Sequence, residues 1–331
     1  MGNQTENIYN RRNSISEEEK AGQNIRYIRR GDTAYPVKLD CIPSAPKGLY
    51  VSGWLPDPEA ASVAIIGARV CSEYGRQMAC LFGTELGKAG IQIISGMARG
   101  IDGISQMSAL KAGGSSFAVL GCGVDVCYPR ENLELYRMLQ ARGGLISEFS
   151  PGTQPLAQQF PSRNRIISGL SDAVIVIEAK QKSGTLITVD MALEQGKDVY
   201  VVPGRLTDPL SEGCNRLIKQ GAGILLSPEE LLSDYHFQSK ENLKFSKRKK
   251  QKNQFVLDNE ENMVYTHLDL YAKNLEDIVE VTKIPVQEIS HILLSLEIKG
   301  LIREVGKDHY IRCGGTIDGK KSCNCGITCQ G

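Results

Sequence analysis

SVAIIGARVCSEYGRQMACLFGTELGKAGIQIISGMARGID, residues 62–102, begins with a β-branched apolar run of strand length, Ser62–Ile66, that ends in Gly67-Ala68-Arg69. Met78, Leu81, Phe82, Leu86 and Ala89 then recur at helical spacing. A second strand-like run, Gln92–Ser95, closes on another glycine-bearing turn and a new helical segment. Strand, turn, helix, strand is the unit of a parallel sheet. The alternation continues through Ser116–Leu120, Gly144–Ser147, Ala173–Glu178, Asp198–Val202 and Gly223–Leu226. Strands this apolar suit a sheet buried on both faces. The pattern predicts a doubly wound, mostly parallel α/β domain of extended Rossmann-like type.

Working outward, residues 25–59 are rich in proline and glycine and read as a lead-in that packs on this domain, which then spans 25–235. Residues 1–24 are polar, without an apolar secretion signal, and read as a disordered tail. Residues 236–255 read as a linker, with six lysines and arginines among the nine residues of Lys244–Lys252. Residues 256–312 change character. Helical stretches near Glu260–Leu268, Leu275–Val281 and Val286–Lys299 precede Leu301–Val305, a turn at Gly306-Lys307-Asp308, and His309–Arg312. Three helices and a hairpin give the order of a small winged-helix domain. Residues 313–331 are rich in glycine and cysteine and read as a tail.

A chain of 331 residues with 41% hydrophobic and 23% charged residues is in the range of soluble globular proteins. No apolar run approaches the roughly 18 residues of a membrane span. The formal net charge of +1 neither points to a polyanion nor excludes one, because a local patch can bind it. Cys41, Cys71, Cys80, Cys122, Cys127 and Cys214 lie among apolar or glycine-rich elements and read as free thiols, which places the chain in the reducing cytoplasm. Cys313, Cys323, Cys325 and Cys329 follow no familiar pairwise metal-ligand spacing, so no metal is expected.

Ligands of open α/β sheets bind beyond the carboxyl ends of the strands. There the sequence places Gly67-Ala68-Arg69, Ser95–Asp102, Gly121-Cys122-Gly123, Glu148-Phe149 leading to Phe160–Arg165, Glu178-Ala179 with Ser183-Gly184-Thr185, and Pro203-Gly204. Glycines let backbone N–H groups approach a ligand, and helix N-termini add positive potential. Arg69, Arg99, Arg163 and Arg165 can converge on the same edge. This chemistry suits phosphate.

The nucleotide-hydrolase and NAD readings fail on residues. The chain has no G-x-x-x-x-G-K-S/T loop, and Gly96-x-x-x-Gly100 is not G-x-G-x-x-G. The second strand ends on Ser95, where a ribose-binding acid is usual. No cofactor is expected. His236, His267, His291 and His309 all fall outside the α/β domain. Asp102, Glu148 and Glu178 remain as acid–base candidates, but helix capping by Asp102 and hydrogen bonding of the glutamates to loop amides are the expected roles. The chain reads as a binding protein, not an enzyme.

The motifs resemble those of the DNA-processing protein A family, also called Smf, over about residues 35–235. The matching segments are VAIIGAR at 63–69, SGMARGID at 95–102, Val119–Gly123 with Tyr128-Pro129, ISEF at 146–149, FPSRNRIISGLS at 160–171, VIEA at 176–179, SGTLIT at 183–188, VPG at 202–204 and LIKQGA at 217–222. The resemblance implies an extended Rossmann-like domain that binds single-stranded DNA, forms a homodimer and helps load the RecA recombinase, protecting incoming DNA in natural transformation. It implies DNA contacts by Arg69, Arg99, Arg163 and Arg165, and with the strand-end loops the expected DNA site also takes in Gly67, Ser95, Gly96, Gly100, Phe160, Asn164, Ser183, Gly184 and Thr185. Phe160, Phe149 and Tyr128 are candidates for stacking on bases or for plain packing. The chain departs from the family in having Ala68 where serine is usual and Gln106 where histidine is frequent. Its first 24 residues are not expected to supply the helical domain that many members carry.

Two further expectations concern the flanks. Residues 258–312 hold eleven Asp and Glu against six Lys and Arg, a net charge of −5, and Lys299 is the one cation of Val286–Lys299. Groove binding runs on cations, so protein contact or packing is expected of the winged-helix region. The basic linker reads as a solvated run that can also hold DNA loosely. The rival reading is an enzyme acting on a nucleotide, like Rossmann-type phosphoribohydrolases, but Lys182–Thr188 lacks the glutamate of their P-G-G-x-G-T-x-x-E run.

Overall fold

The computed structural model describes residues 25–233, 257–269 and 271–312, in two compact units. The polar N-terminal segment, the basic linker and the cysteine-rich tail lie outside the described residues. The first unit is a nine-stranded sheet. Its strands are β1 (Ile25–Arg29), β2 (Gly48–Gly53), β3 (Ser62–Ile66), β4 (Gln92–Ser95), β5 (Ser116–Val119), β6 (Gly144–Ser147), β7 (Ala173–Val176), β8 (Asp198–Val201) and β9 (Gly223–Ile224). They lie in the order β1-β2-β6-β5-β4-β3-β7-β8-β9. From β3 to β9 every ladder is parallel. Every residue of β3 to β7 is buried, which is why these runs are largely apolar.

Residues 25–59 do more than pack on the sheet. β2 pairs antiparallel with β6, and β1 with β2, so two of the nine strands come from this segment. The short helix α1 (Val37–Asp40) joins them. β1 is an edge strand in which only Ile28 is buried, while Arg26, Tyr27 and Arg29 face solvent. Charge on an open edge discourages further strand pairing.

The connecting helices are α2 (Glu73–Lys88), α3 (Ile101–Lys111), α4 (Leu133–Arg142), α5 (Gln159–Gly169), α6 (Gly184–Glu194), α7 (Glu212–Lys219) and α8 (Pro228–Ser233). The chain winds outward from β3 through β4, β5 and β6, then returns to start again at β7 on the other side of β3. The loops after β3 and β7 therefore leave in opposite directions and open a crevice between them. One apolar cluster includes Leu49, Val51, Ala64, Ile94, Val119, Ile146, Ile166, Val174 and Val201. A second cluster, with Met97, Leu110, Val124, Leu135, Tyr136 and Leu139, sits under α3 and α4.

The second unit has the winged-helix order: α9 (Asn259–His267), α10 (Leu275–Thr282), α11 (Val286–Ile298), β11 (Ile302–Gly306) and β12 (His309–Arg312). A two-residue strand, β10 (Lys273–Asn274), pairs with β12 and completes a three-stranded sheet. Val264, Leu268, Ile278, Ile289, Leu293, Leu296 and Ile302 form its core. Gln287, His291, Leu294 and Ile298 of α11 stay exposed and carry no lysine or arginine. Among the described residues, no helix is long and apolar enough to cross a membrane.

Candidate functional site

The crevice at the β3/β7 switch is a cleft of about 580 Å³. One wall is the turn Gly67-Ala68-Arg69 after β3, and the other is Ser183-Gly184-Thr185 at the start of α6. The loops after β3 and β4 are locked together. Gly100 has φ +70°, and a Cβ there would run into the carbonyl of Ala68, which accepts the Ile101 N–H at 3.2 Å. The glycine of the 95–102 motif thus permits the close approach of two turns. Across the cleft lies the N-terminus of α6, a ready site for an anion. Ser183 occupies the N-cap position, yet its buried hydroxyl caps nothing and has no hydrogen-bond partner among the described residues.

Arg69 is exposed at the cleft, and its guanidinium stands 5.4 Å from the centre of the Phe160 ring. It makes no ion pair among the described residues. Tyr128, at the rim, tilts its ring at 30° to Phe160 with centroids 5.6 Å apart. Arg69 therefore has an aromatic support and an uncommitted charge.

Arg163 is 5% exposed. Its Nη1 donates to Gly96 O at 3.0 Å and also to Val119 O, at the ends of β4 and β5. Its Nε donates to Asn164 Oδ1 at 3.3 Å, and its guanidinium lies 5.9 Å from the Phe160 centroid. Asp102, also buried, accepts the Gly96 N–H at 3.2 Å. Burial pushes the Asp102 carboxyl up, and the neighbouring Arg163 opposes that rise. Burial lowers Arg163 to about 10, with Asp102 opposing the fall. Gly96 leaves room for this guanidinium: a Cβ there would stand 2.5 Å from Nη2.

Residues 26–236 match the family described as DNA recombination-mediator protein A, and residues 248–306 match the DprA winged helix domain. The chain belongs to the DNA recombination-mediator protein A family. Protein Smf of Escherichia coli (strain K12) is 37% identical over 300 residues, covering 88% of this chain and 76% of that protein. DNA processing protein DprA of Streptococcus pneumoniae (strain ATCC BAA-255 / R6) is 42% identical over 208 residues, 62% of this chain and 73% of its own. The crystal structure of Streptococcus pneumoniae DprA superposes with a TM-score of 0.61 at 38% identity, covering 68% of this chain and 80% of that one. DNA processing protein A of Helicobacter pylori, described for its single-stranded DNA binding mode, gives 0.57 at 29% identity over 64% and 95% of the two chains.

Against the family motifs, the cleft gathers Gly67, Arg69, Phe160, Arg163, Asn164, Ser183, Gly184 and Thr185. Five expected residues do not line it. Ser95 is fully buried and donates to Ile65 O at 2.7 Å, while Gly96 and Gly100 shape the loop as described. Arg99 is exposed and ion-paired with Glu131. Arg165 donates to both oxygens of Glu148 at 2.8 Å, to Ser44 O at 2.9 Å and to Ser162 O at 2.8 Å. Glu148 thus pairs with an arginine, not with loop amides, and Asp102 closes the Gly96 loop where helix capping was expected. Glu178 is fully buried.

Two further clamps were not among the expected site residues. Gln106, at the position where the family often has histidine, accepts the Met97 N–H at 3.0 Å and donates to Ser116 Oγ and Phe117 O. Asn132 donates to Met97 O at 2.9 Å and Ala98 O at 3.1 Å. Together they brace the 96–100 turn from behind. Burial pushes the thiols of Cys122, Cys127 and Cys214 up to about 12, away from the reactive thiolate form. Among the described residues, no group of three His, Cys, Asp or Glu could hold a metal ion.

Proposed function

We propose that the chain binds single-stranded DNA, without chemical turnover, in the cleft at the β3/β7 switch. The observation that carries this reading is the uncommitted Arg69 facing the N-terminus of α6 and the unsatisfied Ser183 hydroxyl across one cleft. A phosphate between them would accept charge-assisted bonds from the guanidinium and bonds from the helix amides. The Helicobacter relative, described as a single-stranded DNA binder, supports the choice of ligand. The acidic groups at the cleft are tied up structurally: Asp102 faces Gly96 and Arg163, and Glu178 is sealed in the core. The described histidines belong to the winged-helix unit.

On family grounds the reading extends to DNA recombination: this chain, as a cytoplasmic homodimer, would protect incoming single strands in transformation and help load RecA on them. The edge strand β9, with its exposed Ile224 and with Leu226 exposed just after it, is a surface suited to the dimer.

Fluorescence anisotropy of labelled single-stranded and duplex oligonucleotides of one sequence, titrated over a salt series, tests the reading. Tighter binding of the single strand is expected, with log affinity falling by about 0.7 per neutralised phosphate against log salt. Equal or weaker single-strand binding overturns it. Release of free base from nucleoside monophosphates would favour the enzymatic alternative.

A further inference from the structure

Arg163 stands in a motif that reads as a phosphate contact, but its surroundings describe another task. A guanidinium 5% exposed, with one nitrogen given to two main-chain carbonyls, has little freedom left for a ligand. Those carbonyls end neighbouring parallel strands, β4 and β5, at the edge where the cleft opens. Unbonded, they would turn partial negative charge toward an incoming phosphate. Arginine is suited to cover them, because its planar fork can hold fixed acceptors while its face lies near an aromatic ring.

Arg163 reaches Arg69 by two routes. Through the ring, both guanidiniums lie within 6 Å of the Phe160 centroid, at 5.9 and 5.4 Å. Through the backbone, Arg163 holds Gly96 O, and the 96–100 turn beyond it abuts Ala68 and Arg69 at Gly100. Asp102 holds the other side of Gly96 and supplies the countercharge that a buried cation needs.

Building on the single-strand reading above, we infer that Arg163 is a positioning residue: it sets the cleft floor and the placement of Arg69, and does not itself bind a DNA phosphate.

The test compares wild type, Arg163→Gln, Arg69→Ala and the double variant by anisotropy with a fluorescein-labelled oligothymidylate over a salt series. Arg69→Ala is expected to flatten the salt slope by about 0.7, the share of one phosphate. Arg163→Gln is expected to weaken binding roughly tenfold and to flatten the slope by no more than Arg69→Ala does, and the double variant to keep the slope of Arg69→Ala alone. If Arg163 acts through Arg69, adding Arg163→Gln to Arg69→Ala costs little more; a purely structural contribution would add in full. A double variant with a flatter slope than Arg69→Ala alone, or fully additive losses, overturns the inference. Wild-type protein that fails to bind the oligonucleotide overturns the functional reading, and this inference with it.

Arginine side-chain NMR of the wild type guards against a misfolded variant. The Arg163 Nε–H should exchange slowly before DNA is added and shift little when it binds, whereas Arg69 should shift. Fast exchange of Arg163 that becomes protected only on DNA would overturn the inference.

Discussion

Gln106 holds Met97 in a left-handed backbone conformation. Met97 has φ +53°, unusual for a residue with a side chain, and its N–H is accepted by the Gln106 carboxamide at 3.0 Å. The same carboxamide donates to Ser116 Oγ at 3.1 Å and Phe117 O at 3.0 Å, so one buried side chain satisfies three partners on two elements. Gln106→Ala leaves the Met97 N–H without this acceptor and removes a donor from Phe117 O, while Ser116 Oγ keeps its bond to Ile93 O. The expected cost is about 2–3 kcal/mol, read from urea unfolding. A change below about 0.5 kcal/mol would show that the 96–100 turn holds itself.

Phe160 supports Arg69 if its ring works as a cation–π platform, and Phe160→Leu isolates that contribution. Exposed cation–π contacts are worth about 0.5–1 kcal/mol, so single-strand affinity should fall two- to fivefold on that scale while the salt slope stays put. A base stacked on the ring would be worth about 1–3 kcal/mol. A loss well beyond about tenfold would therefore assign the ring to the DNA and not to Arg69.

Arg165 and Glu148 form a two-pronged pair whose side chains are 15% and 30% exposed. With Ser44 O and Ser162 O also accepting from Arg165, this arginine ties α5 to the segment before β2. Arg165→Met should lower thermal stability by about 1–3 kcal/mol, the range for charged hydrogen bonds. The salt slope of single-strand binding should be unchanged. A flattened slope with unchanged stability would return Arg165 to the DNA site.

How far the sequence reached depends on where the deciding partners lie. Val63–Ile66 and Ala173–Val176 were legible as strands because burial on both faces leaves no polar alternation to confuse. The readings Ser116–Leu120, Ala173–Glu178, Asp198–Val202 and Gly223–Leu226 run past the ends of their strands, because Leu120, Ile177, Val202 and Leu225 stay apolar and buried just past the last strand residue. β1 was not legible, since an edge strand with Arg26 and Arg29 facing water looks like a polar lead-in. At the site, the glycine turns were readable because close approach is a local demand. The fate of Arg163 was not, because its acceptors are carbonyls 67 and 44 residues away. Charge alone makes a buried arginine and a phosphate-binding arginine look the same.

The winged-helix unit should be dispensable for single-strand affinity. Its residues 258–312 sum to −5, and the outer face of α11 shows Gln287, His291, Leu294 and Ile298. A chain ending at Ser233 is expected to bind single strands within about threefold of wild type, and one ending at Gln254, which retains the basic linker, controls for that segment. A loss beyond about tenfold in both would assign DNA contacts to the winged-helix unit.

That unit carries its own pH dependence in Glu261. The carboxylate is 5% exposed, accepts from Lys299 and from Ser295 Oγ at 2.7 Å, and completes a capping box with Asp258 at the start of α9. The bond from Lys299, then that from Ser295, holds its pKa below the ordinary value of 4.5. A depressed carboxylate favours the folded state only while it is charged. Its contribution is therefore complete above the unfolded pKa and is lost as pH falls through the lower, folded one. Urea unfolding followed by the methyl signals of Val264 and Leu293, both in this unit's core, reads the unit separately. Wild type should be stable from neutral pH down to about 5 and weaken below it. Glu261→Gln should lose about 1–2 kcal/mol at pH 7 and show a flatter acid limb, because the carboxylate that linked folding to protonation is gone. Parallel acid limbs in the two proteins would mean that another carboxylate sets the acid stability of the unit.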